Sequence, residues 1–573
     1  MDRSSILRSL AIAGVITLLL YFGFTKFVGG DGAKVAPPTA ELFRAPEGRP
    51  GPTSKKATET FCTLKGNRFK AVTTTRGASL EHLTLDDPKY HEAGKPLDLV
   101  TTPDVEYQAL RVDLSSPSAK DQVKYDWFDW KLAEETGTSC TFVYEDDHVA
   151  LKKVIRASDR PYELQLSVTV ENRKSEKASH RLAIDNPAWR YESEVEGGFG
   201  RQSPFVTTVE CVKESNVEEK TASDFTPKDF EKNEYREGWY TMAAPVSFAS
   251  TSNFYFAQAL VPTSGPGPAG CQLRVTPFPK SGAMYRSRLF WQPKELGPGE
   301  KQAYEAFAFF GPKERDVLAT AGGGQHHLSE LIKLGKFAFI AKYLVWFLIK
   351  MQGLSGSWGV AIVLLTVAVR TVLFPLTWKS IQSGAAMRRI KPEIDALNEK
   401  YKDDAQQKQL ATMELYKKQG VNPFAGCLPM LAQMPVWFAL YTSLQTAAEL
   451  FHAPFLWFKD LSAPDTIHFG SWDLPFVLPW LLGATSFLQQ KIMPPGQMDP
   501  AQQKMMQYLM PSIFTAMMLF LPSGLGVYMF TNSVLGIVQQ LAVERYYAKQ
   551  TTPAATIEVR EKGADEKLAS KKT

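Results

Sequence analysis

A single arginine lies inside a long apolar stretch of this sequence. Residues 357–379 read SWGVAIVLLTVAVRTVLFPLTWK, which is long enough to cross a bilayer as a helix, and Arg370 stands well inside them. At the rise of an α-helix, Arg370 would lie roughly 18 Å from one end and roughly 13 Å from Lys379 at the other. A guanidinium cannot lose its proton to escape, and at that depth it costs about 2.5–3.5 kcal/mol or more. Arg370 therefore needs an acidic partner or water.

The neighbouring apolar segments offer neutral polar groups rather than acids. The nearby acidic residues stand at segment ends, namely Glu449, Asp473 and Glu544. Gln433 and Asn532 lie inside their segments, and Gln433 falls about 12 Å from the basic end of its own segment, near the depth of Arg370. These residues predict a wet polar groove with Arg370 as its fixed charge, sealed at the far end by apolar packing. Thr366, one turn from Arg370, would mark the junction between the polar and the apolar half of this groove. The alternative is an arginine that only binds backbone carbonyls of packed helices.

The sequence contains no motif for covalent chemistry. It has no P-loop, no H-E-x-x-H, no G-x-S-x-G and no cysteine or histidine cluster with metal-ligand spacing. The formal net charge of +5 is a mild excess that says little about nucleic acid. We therefore expect a protein that is not an enzyme, with no cofactor, no metal and no direct nucleic-acid partner. A wet groove with an apolar far end suits a client that has a polar tail to pass across and an apolar helix to release into lipid.

The region from Cys62 to Lys313 has the pattern of β-structure. Residues 162–172, YELQLSVTVEN, alternate apolar and polar at period two, and FYFAQALVP and YEAFAFFGP predict further strands, each closed by a proline. A large antiparallel sandwich is expected. Its cysteines are Cys62, Cys140, Cys211 and Cys271, which could pair in three ways if the region is exported. Cys427 is expected to pack in an apolar run.

Apolar segments flank this region on both sides. An apolar N-terminal stretch predicts an uncleaved anchor, with a cleaved signal peptide as the alternative. Residues 326–352 mix aromatic residues with Lys333, Lys336, Lys342 and Lys350, which favours an amphipathic helix in the membrane interface. Five apolar segments follow at 358–378, 424–448, 474–490, 505–521 and 523–543. With the anchor they predict six membrane spans.

The distribution of basic residues predicts the orientation. Residues 379–418 and the tail after 543 are rich in lysine and arginine, whereas the loop at 449–473 has Lys459 alone against several acids. Basic loops remain cytoplasmic, so both termini are expected inside and the sandwich outside. The loop at 379–422 predicts a helical hairpin with two apolar stripes, one of Met387, Ile390, Ile394, Leu397 and Tyr401 and one of Leu410, Met413 and Tyr416. The residues of its predicted contact surface are Arg388, Arg389, Lys391, Lys400, Lys402, Lys417 and Lys418. The alternative is a solvated hairpin with no partner.

Several blocks together resemble the YidC membrane protein insertase family, of the Gram-negative type with a large periplasmic domain. They are TVAVRTVLFPLT, GVNPFAGCLPMLAQMPVWFALYTSL and KMMQYLMPSIFTAMMLFLPSGLGVYMFTNSVLGIVQQ, within about 331–549. The resemblance implies a β-super-sandwich domain and insertion and folding of inner-membrane proteins, alone or with the Sec translocon. It also implies nascent membrane proteins as partners. The basic surface of the hairpin itself predicts contacts with the ribosome, targeting factors or lipid headgroups. The alternatives from other function classes are a membrane-anchored protein that binds or modifies periplasmic sugars and a lipid scramblase.

The resemblance also implies substrate contacts on the groove. These are Thr366, Met434, Trp437, Tyr528 and Met529, which join Arg370, Gln433 and Asn532 in the predicted substrate-binding groove. The family often has phenylalanine where Trp437 stands and an aromatic residue where Met529 stands, so this sequence departs from the family pattern at these two positions. Both residues are large and apolar, so the groove keeps an apolar surface at these positions.

The expected domain order combines these segments. It is an N-terminal transmembrane anchor (1–28), a flexible linker (29–60), a periplasmic β-sandwich (61–325), an interfacial amphipathic helix (326–352), transmembrane helix 2 (353–378), a cytoplasmic helical hairpin (379–422), transmembrane helix 3 (423–448), a periplasmic loop (449–473), transmembrane helix 4 (474–491), a cytoplasmic loop (492–504), transmembrane helix 5 (505–521), transmembrane helix 6 (522–545) and a basic cytoplasmic tail (546–573).

Overall fold

The structure is a computed structural model of the 573-residue chain. It describes residues 58–115 (without 93 and 103–107), 130–192, 206–278 (without 215, 233, 237 and 264–266), 281–420 (without 403), 428–492 (without 470–471) and 508–550 (without 510, 514 and 519–520). The predicted anchor at 1–28, nearly all of the linker, Cys427 and the tail beyond residue 550 lie outside the described residues.

The first half of the described chain is an antiparallel β-sandwich, as the alternation pattern predicts. Its strands are β1 Phe61–Lys65, β2 Phe69–Thr74, β3 Ser79–Leu85, β4 His91–Glu92, β5 Lys95–Pro96, β6 Arg111–Ser115, β7 Lys131–Thr136, β8 Ser139–Glu145, β9 Val149–Ala157, β10 Glu163–Asn172, β11 Ala178–Tyr191, β12 Thr208–Lys213, β13 Asn216–Lys220, β14 Tyr235–Arg236, β15 Trp239–Ala243, β16 Phe248–Ser252, β17 Phe256–Pro262, β18 Gly270–Phe278, β19 Gly282–Phe290, β20 Lys294–Leu296 and β21 Lys301–Pro312. A nine-stranded sheet has the order β13-β12-β16-β17-β21-β10-β9-β8-β7, and a seven-stranded sheet has the order β14-β15-β18-β19-β11-β20 with β6 paired to β11.

The two large sheets share one hydrophobic core. In β10, Leu164, Leu166, Val168 and Val170 are buried, and the intervening residues are more exposed after Leu164, as the period-two pattern predicts. Residues of β11 and β19 such as Leu182 belong to the same apolar cluster. The predicted strands ending in proline are present as β17 and β21, which pair with each other.

Two disulfides select one of the three possible cysteine pairings. Cys62 of β1 is bonded to Cys140 of β8, and Cys211 of β12 is bonded to Cys271 of β18. The second bond joins the nine-stranded sheet to the seven-stranded one. Both bonds close long segments of chain, which restricts the unfolded state.

The second half of the described chain is mainly helical. Its helices are α1 Arg315–Thr320, α2 Ala338–Ser355, α3 Trp358–Val372, α4 Phe374–Lys400, α5 Ala405–Gln419, α6 Leu428–Gln445, α7 Leu478–Ile492 and α8 Ser523–Gln550. A short hairpin, β22 Thr466–Phe469 and β23 Trp472–Pro475, lies between α6 and α7. The described residues between 508 and 517 are also helical. Buried side chains from α2, α3, α6, α7 and α8 form one apolar cluster.

The helix expected over 353–378 is broken. α3 ends at Val372, and α4 begins at Phe374 with Pro375 in its first turn, the position where the missing N–H and fixed φ of proline fit a helix start. The two helices meet at an angle of 62°. Among the described residues, that bent pair as far as Met387 has the length and hydropathy of a membrane span, and no individual helix has both.

The helix expected over 326–352 begins later, at Ala338. Lys333 therefore lies outside α2, and it forms ion pairs with Glu210 and Glu219 of the sandwich. Leu344 and Leu348 pack inward, while Phe339, Tyr343, Trp346 and Leu354 are exposed together with Lys342 and Lys350. The exposed side of α2 thus combines aromatic rings and lysines, as an interfacial helix does.

The hairpin of α4 and α5 packs through a smaller core than the sequence predicts. Ile390, Ile394 and Tyr416 are buried together, but Leu410 and Met413 are exposed. A step of three residues turns a helix by about 300°, so a stripe at 410, 413 and 416 drifts away from a single face. The expectation that Leu410 and Met413 pack with Tyr416 is wrong.

The sandwich and the helices are joined by a loop after α6. Phe451 inserts among Tyr90, Tyr255 and Phe256, with ring centroids 5.3–5.9 Å apart. Glu449 accepts from the guanidinium of Arg315 at 2.7 Å and from its backbone N–H at 3.0 Å. Phe451 is a member of the core cluster of the sandwich, so this loop is part of that core.

Candidate functional site

Arg370 lies in the last turn of α3, not in the middle of a long helix. The carboxyl end of a helix carries unpaired carbonyls and the negative end of its dipole, both of which favour a cation. The break before Pro375 therefore supplies part of the stabilisation that an arginine in this apolar segment requires. Its side chain is partly buried.

The guanidinium of Arg370 binds neutral acceptors on α8. Its Nε donates to Oδ1 of Asn532 at 2.6 Å, and its Nη2 donates to the backbone carbonyl of Asn532 at 2.7 Å. Its Nη1 donates to Oε1 of Gln539 at 3.3 Å. Asn532 and Gln539 are seven positions apart, so they face the same side of α8.

Gln433 of α6 completes the network. Its Nε2 donates to Oδ1 of Asn532 at 2.7 Å and lies 3.5 Å from the hydroxyl of Tyr528. One amide oxygen of Asn532 thus accepts from both Arg370 and Gln433. The structure brings together Arg370, Gln433, Tyr528 and Asn532 from α3, α6 and α8. The count of helical depth places Arg370 and Gln433 at a similar level, and Asn532 is expected as a polar group of the same groove.

No carboxylate lies within ion-pair distance of Arg370 in the part of the chain that the structure describes. A guanidinium has five N–H groups, and the contacts above use three of them. Two N–H groups are therefore not used in these contacts. The site keeps a full positive charge and can accept a carboxylate or water.

The other predicted groove residues have different environments. Thr366 is fully buried, and its hydroxyl donates to the carbonyl of Ile362 at 2.7 Å. Tyr528 is 1% exposed, whereas Met434 is 45% exposed. Trp437 and Met529 are partly buried against the helical core. A direct contact with a client is therefore sterically open at Met434 and closed at Thr366 and Tyr528 in this conformation.

Met434 belongs to an apolar stripe on α6 that remains exposed. Leu431 and Phe438 flank it at helical spacing, and each is at least two-fifths exposed. Val360, Leu364 and Val367 form a similar stripe on α3. Side chains of this type are unfavourable in water and favourable against lipid or an apolar helix.

The predicted basic residues of the α4–α5 hairpin are at its surface. The exposed ones are Arg389, Lys391, Lys400, Lys402, Lys417 and Lys418, and the side chain of Arg388 lies outside the described part. Among the described residues, no hydrogen bond joins these basic side chains to Arg370, Gln433 or Asn532. No group of three or more metal-ligating side chains occurs among the described residues.

Two residues beside Arg370 were not found from the sequence. Gly536 lies between Asn532 and Gln539 on α8, and Gln489 of α7 lies near it. The sequence gives only weak evidence for Gln489, because the adjacent Gln490 is equally a glutamine in the same apolar segment. The sequence gives no evidence for Gly536, because a glycine can occur in a helix for many reasons.

Comparisons with known proteins cover both halves of the chain. Residues 62–347 match the family described as YidC periplasmic domain, and residues 350–550 match the family described as 60Kd inner membrane protein. The membrane protein insertase YidC of Anaeromyxobacter dehalogenans strain 2CP-C is 34% identical over 518 residues, covering 87% of this chain and 88% of that protein. The membrane protein insertase YidC of Pelobacter propionicus is 43% identical over 296 residues, covering 51% of this chain and 53% of that protein.

Solved structures are similar to part of the chain only. A galactose mutarotase-like protein from Lactobacillus casei ATCC 334 is 14% identical with a TM-score of 0.32, covering 44% of this chain and all of that one. At that TM-score and identity the likeness says nothing about activity.

Proposed function

Because this chain belongs to the YidC family of membrane protein insertases, it inserts membrane proteins, and we propose that it does so through a hydrated groove around Arg370. It is an inner-membrane protein with a periplasmic domain, and it is not an enzyme. The groove is the proposed route for the polar tail of a client. The observation that supports it most is a guanidinium bound only to neutral groups among the described residues.

The proposed step is the addition of a client carboxylate to the existing partners of Arg370. An acidic side chain in a client tail enters from the cytoplasm and binds the two donors that Asn532 and Gln539 leave free. The contact is charge-assisted but hydrated, so it is weak enough for release. No covalent bond forms or breaks.

The apolar stripes supply the second half of the mechanism. Leu431, Met434 and Phe438 on α6 offer a surface on which the apolar helix of a client can pack before it moves into lipid. Burial of apolar area against this surface replaces contact with water at about 25 cal/mol per Å². Arg370 and the stripe therefore act on different parts of one client.

The topology and partners belong to the same proposal. Both termini and the α4–α5 hairpin lie in the cytoplasm, the sandwich lies in the periplasm, and the chain crosses the membrane six times. The basic hairpin surface and tail bind a ribosome or targeting factor, α2 binds lipid at the membrane surface, and the Sec translocon joins for some clients. Cysteine labelling from each side of the membrane tests the topology, and crosslinking from Lys417 in the presence of ribosomes tests the hairpin.

Photo-crosslinking should rank the groove positions by exposure. A photoreactive side chain at Met434 should crosslink a stalled nascent membrane protein, and one at Thr366 should give at least about fivefold less product because that position is closed. Trp346, exposed on α2, is the control for exposure alone. The measurement is the yield of client adduct on gels. Equal yields from Met434 and Trp346 would contradict the proposed path.

A further inference from the structure

The guanidinium of Arg370 lies along one face of α8. Asn532 is one turn before Gly536 on that face, and Gln539 is about one turn after it. Arg370 donates to residues on both sides of Gly536, so its guanidinium spans the glycine. Gly536 is buried, unlike its immediate neighbours in α8.

A side chain at Gly536 would crowd the guanidinium of Arg370. A Cβ atom there would lie 2.9 Å from Nη2 of Arg370 and 3.4 Å from its Cζ. It would also lie 3.4 Å from Nε2 of Gln489, so α7 limits movement on another side. The guanidinium would have to shift away from α8 to make room, which lengthens its 2.7 Å bond to the Asn532 carbonyl.

A glycine inside a helix is less favourable than alanine, so its presence in α8 calls for a compensating contact. The contact found at Gly536 is with the functional charge. Gly353 of α2 provides a contrast, because a Cβ added there meets nothing within 4 Å. Other helical glycines such as Gly359 and Gly526 are also crowded, but by apolar side chains, whereas the nearest atoms at Gly536 belong to the guanidinium of Arg370.

We propose that Gly536 is a positioning residue for Arg370, which holds the guanidinium flat against α8 with its free donors aimed into the groove. A methyl group at this position displaces the guanidinium from the Asn532 carbonyl and from Gln539, without changing the charge of the site. The inference rests on the proposed function of Arg370. Gly536, which has no side chain, would thus determine the position of the Arg370 charge.

The test is a double-mutant cycle in proteoliposomes. Gly536→Ala, Arg370→Ala and the double variant are compared for insertion of two matched clients, one with an acidic tail and one with a neutral tail. We expect Gly536→Ala to reduce insertion of the acidic client by about twofold to fivefold, less than Arg370→Ala does, because the charge remains and only its hydrogen bonds weaken. The neutral client should change by less than about twofold, and the double variant should match Arg370→Ala. Gly353→Ala is the matched control and should leave both clients unchanged.

The outcomes separate this inference from the proposed function. If Arg370→Ala had no effect on the acidic client, the proposed function itself would fail. If Arg370→Ala reduced insertion but Gly536→Ala behaved like Gly353→Ala, the positioning role would be refuted. An equal loss for both clients that persisted in the Arg370→Ala background would mean general packing, which also overturns it.

Accumulation of the variants provides a second readout. In the Arg370→Ala background the space beside Gly536 is vacated, so Gly536→Ala should be tolerated there. A single variant that fails to accumulate while the double variant accumulates would support the clash with Arg370. Failure of both would refute it.

Discussion

Replacing Arg370 with alanine should reduce insertion of clients with acidic tails by about threefold to tenfold, or roughly 0.7–1.4 kcal/mol. The reason is that the guanidinium is the fixed charge of the proposed groove and keeps donors free after binding Asn532 and Gln539. The measurement is the rate at which a client becomes protected from protease in proteoliposomes. A matched client with a neutral tail should change little.

Arg370→Lys should retain more activity than Arg370→Ala, because it preserves the charge. A lysine is a point charge with three donors and cannot span Asn532 and Gln539 as a planar guanidinium does, so we expect an intermediate rate. Arg156→Ala, which removes an exposed arginine of β9 in the sandwich, is the control for loss of charge elsewhere. Equal loss in the lysine and alanine variants would show that guanidinium geometry, not charge, matters. Equal loss for acidic and neutral clients would contradict attraction as the mechanism.

Part of the Arg370 network could be predicted, because helical depth is simple to count. Rise per residue places Gln433 near the depth of Arg370, and the structure joins them through Asn532. Depth says nothing about which side of a helix a residue faces. Thr366 shows this, since it lies one turn from Arg370 but is buried with its hydroxyl bonded to Ile362.

The break of the arginine-bearing helix had a signal in the sequence. Pro375 follows Phe374 inside the apolar segment, and proline marks a helix start or a kink. Hydropathy does not register such a break, because the residues on both sides remain apolar. The consequence is large, since it moves Arg370 from the middle of a helix to its last turn.

The strands of the sandwich could be predicted because side-chain alternation is local. The pairing of cysteines could not, because it depends on which strands become neighbours across two sheets. The contact of Phe451 with Tyr90 and Phe256 has the same cause, since those residues are far apart in the chain. Non-local contacts of this kind leave no periodic pattern.

Glu210 in β12 shows how much such a non-local contact can contribute. Its carboxylate is fully buried and accepts from the hydroxyls of Ser250 and Ser252 at 2.6 Å each and from Nζ of Lys333 at 3.1 Å. Lys313, itself buried, donates to the same Ser252. The cluster attaches the chain that leads into α2 to the sandwich. Burial alone would raise the pKa of Glu210, but the nearby lysines and hydroxyls outweigh it and lower the pKa to about 2.

Glu210→Gln should destabilise the protein by about 3–5 kcal/mol, because it leaves the buried Lys313 without the counter-charge of Glu210. Glu219→Gln is the matched control, since Glu219 pairs with the same Lys333 at 2.7 Å but is 36% exposed. An exposed pair contributes at most about 1 kcal/mol, so the control should change little. The measurement is the unfolding midpoint of the detergent-solubilised full chain by intrinsic fluorescence. Similar midpoints for the two variants would refute a special role for Glu210.

The pH dependence identifies the ionised carboxylate as the cause. Because the folded state lowers the pKa of Glu210 from 4.5 to about 2, its contribution to stability is complete above about pH 4.5 and is lost as the pH falls toward 2. Glu210→Gln should not lose stability in this way, so the stability difference between this variant and the parent protein should become smaller at acidic pH. Burial lowers the pKa of Lys313 to about 8 even with Glu210 opposing it. Without Glu210, Lys313 should lose its proton more readily, so the stability difference between Glu210→Gln and the parent protein should also become smaller at alkaline pH. A stability difference that stayed constant from pH 2 to 9 would show that packing and not charge holds the chain entering α2.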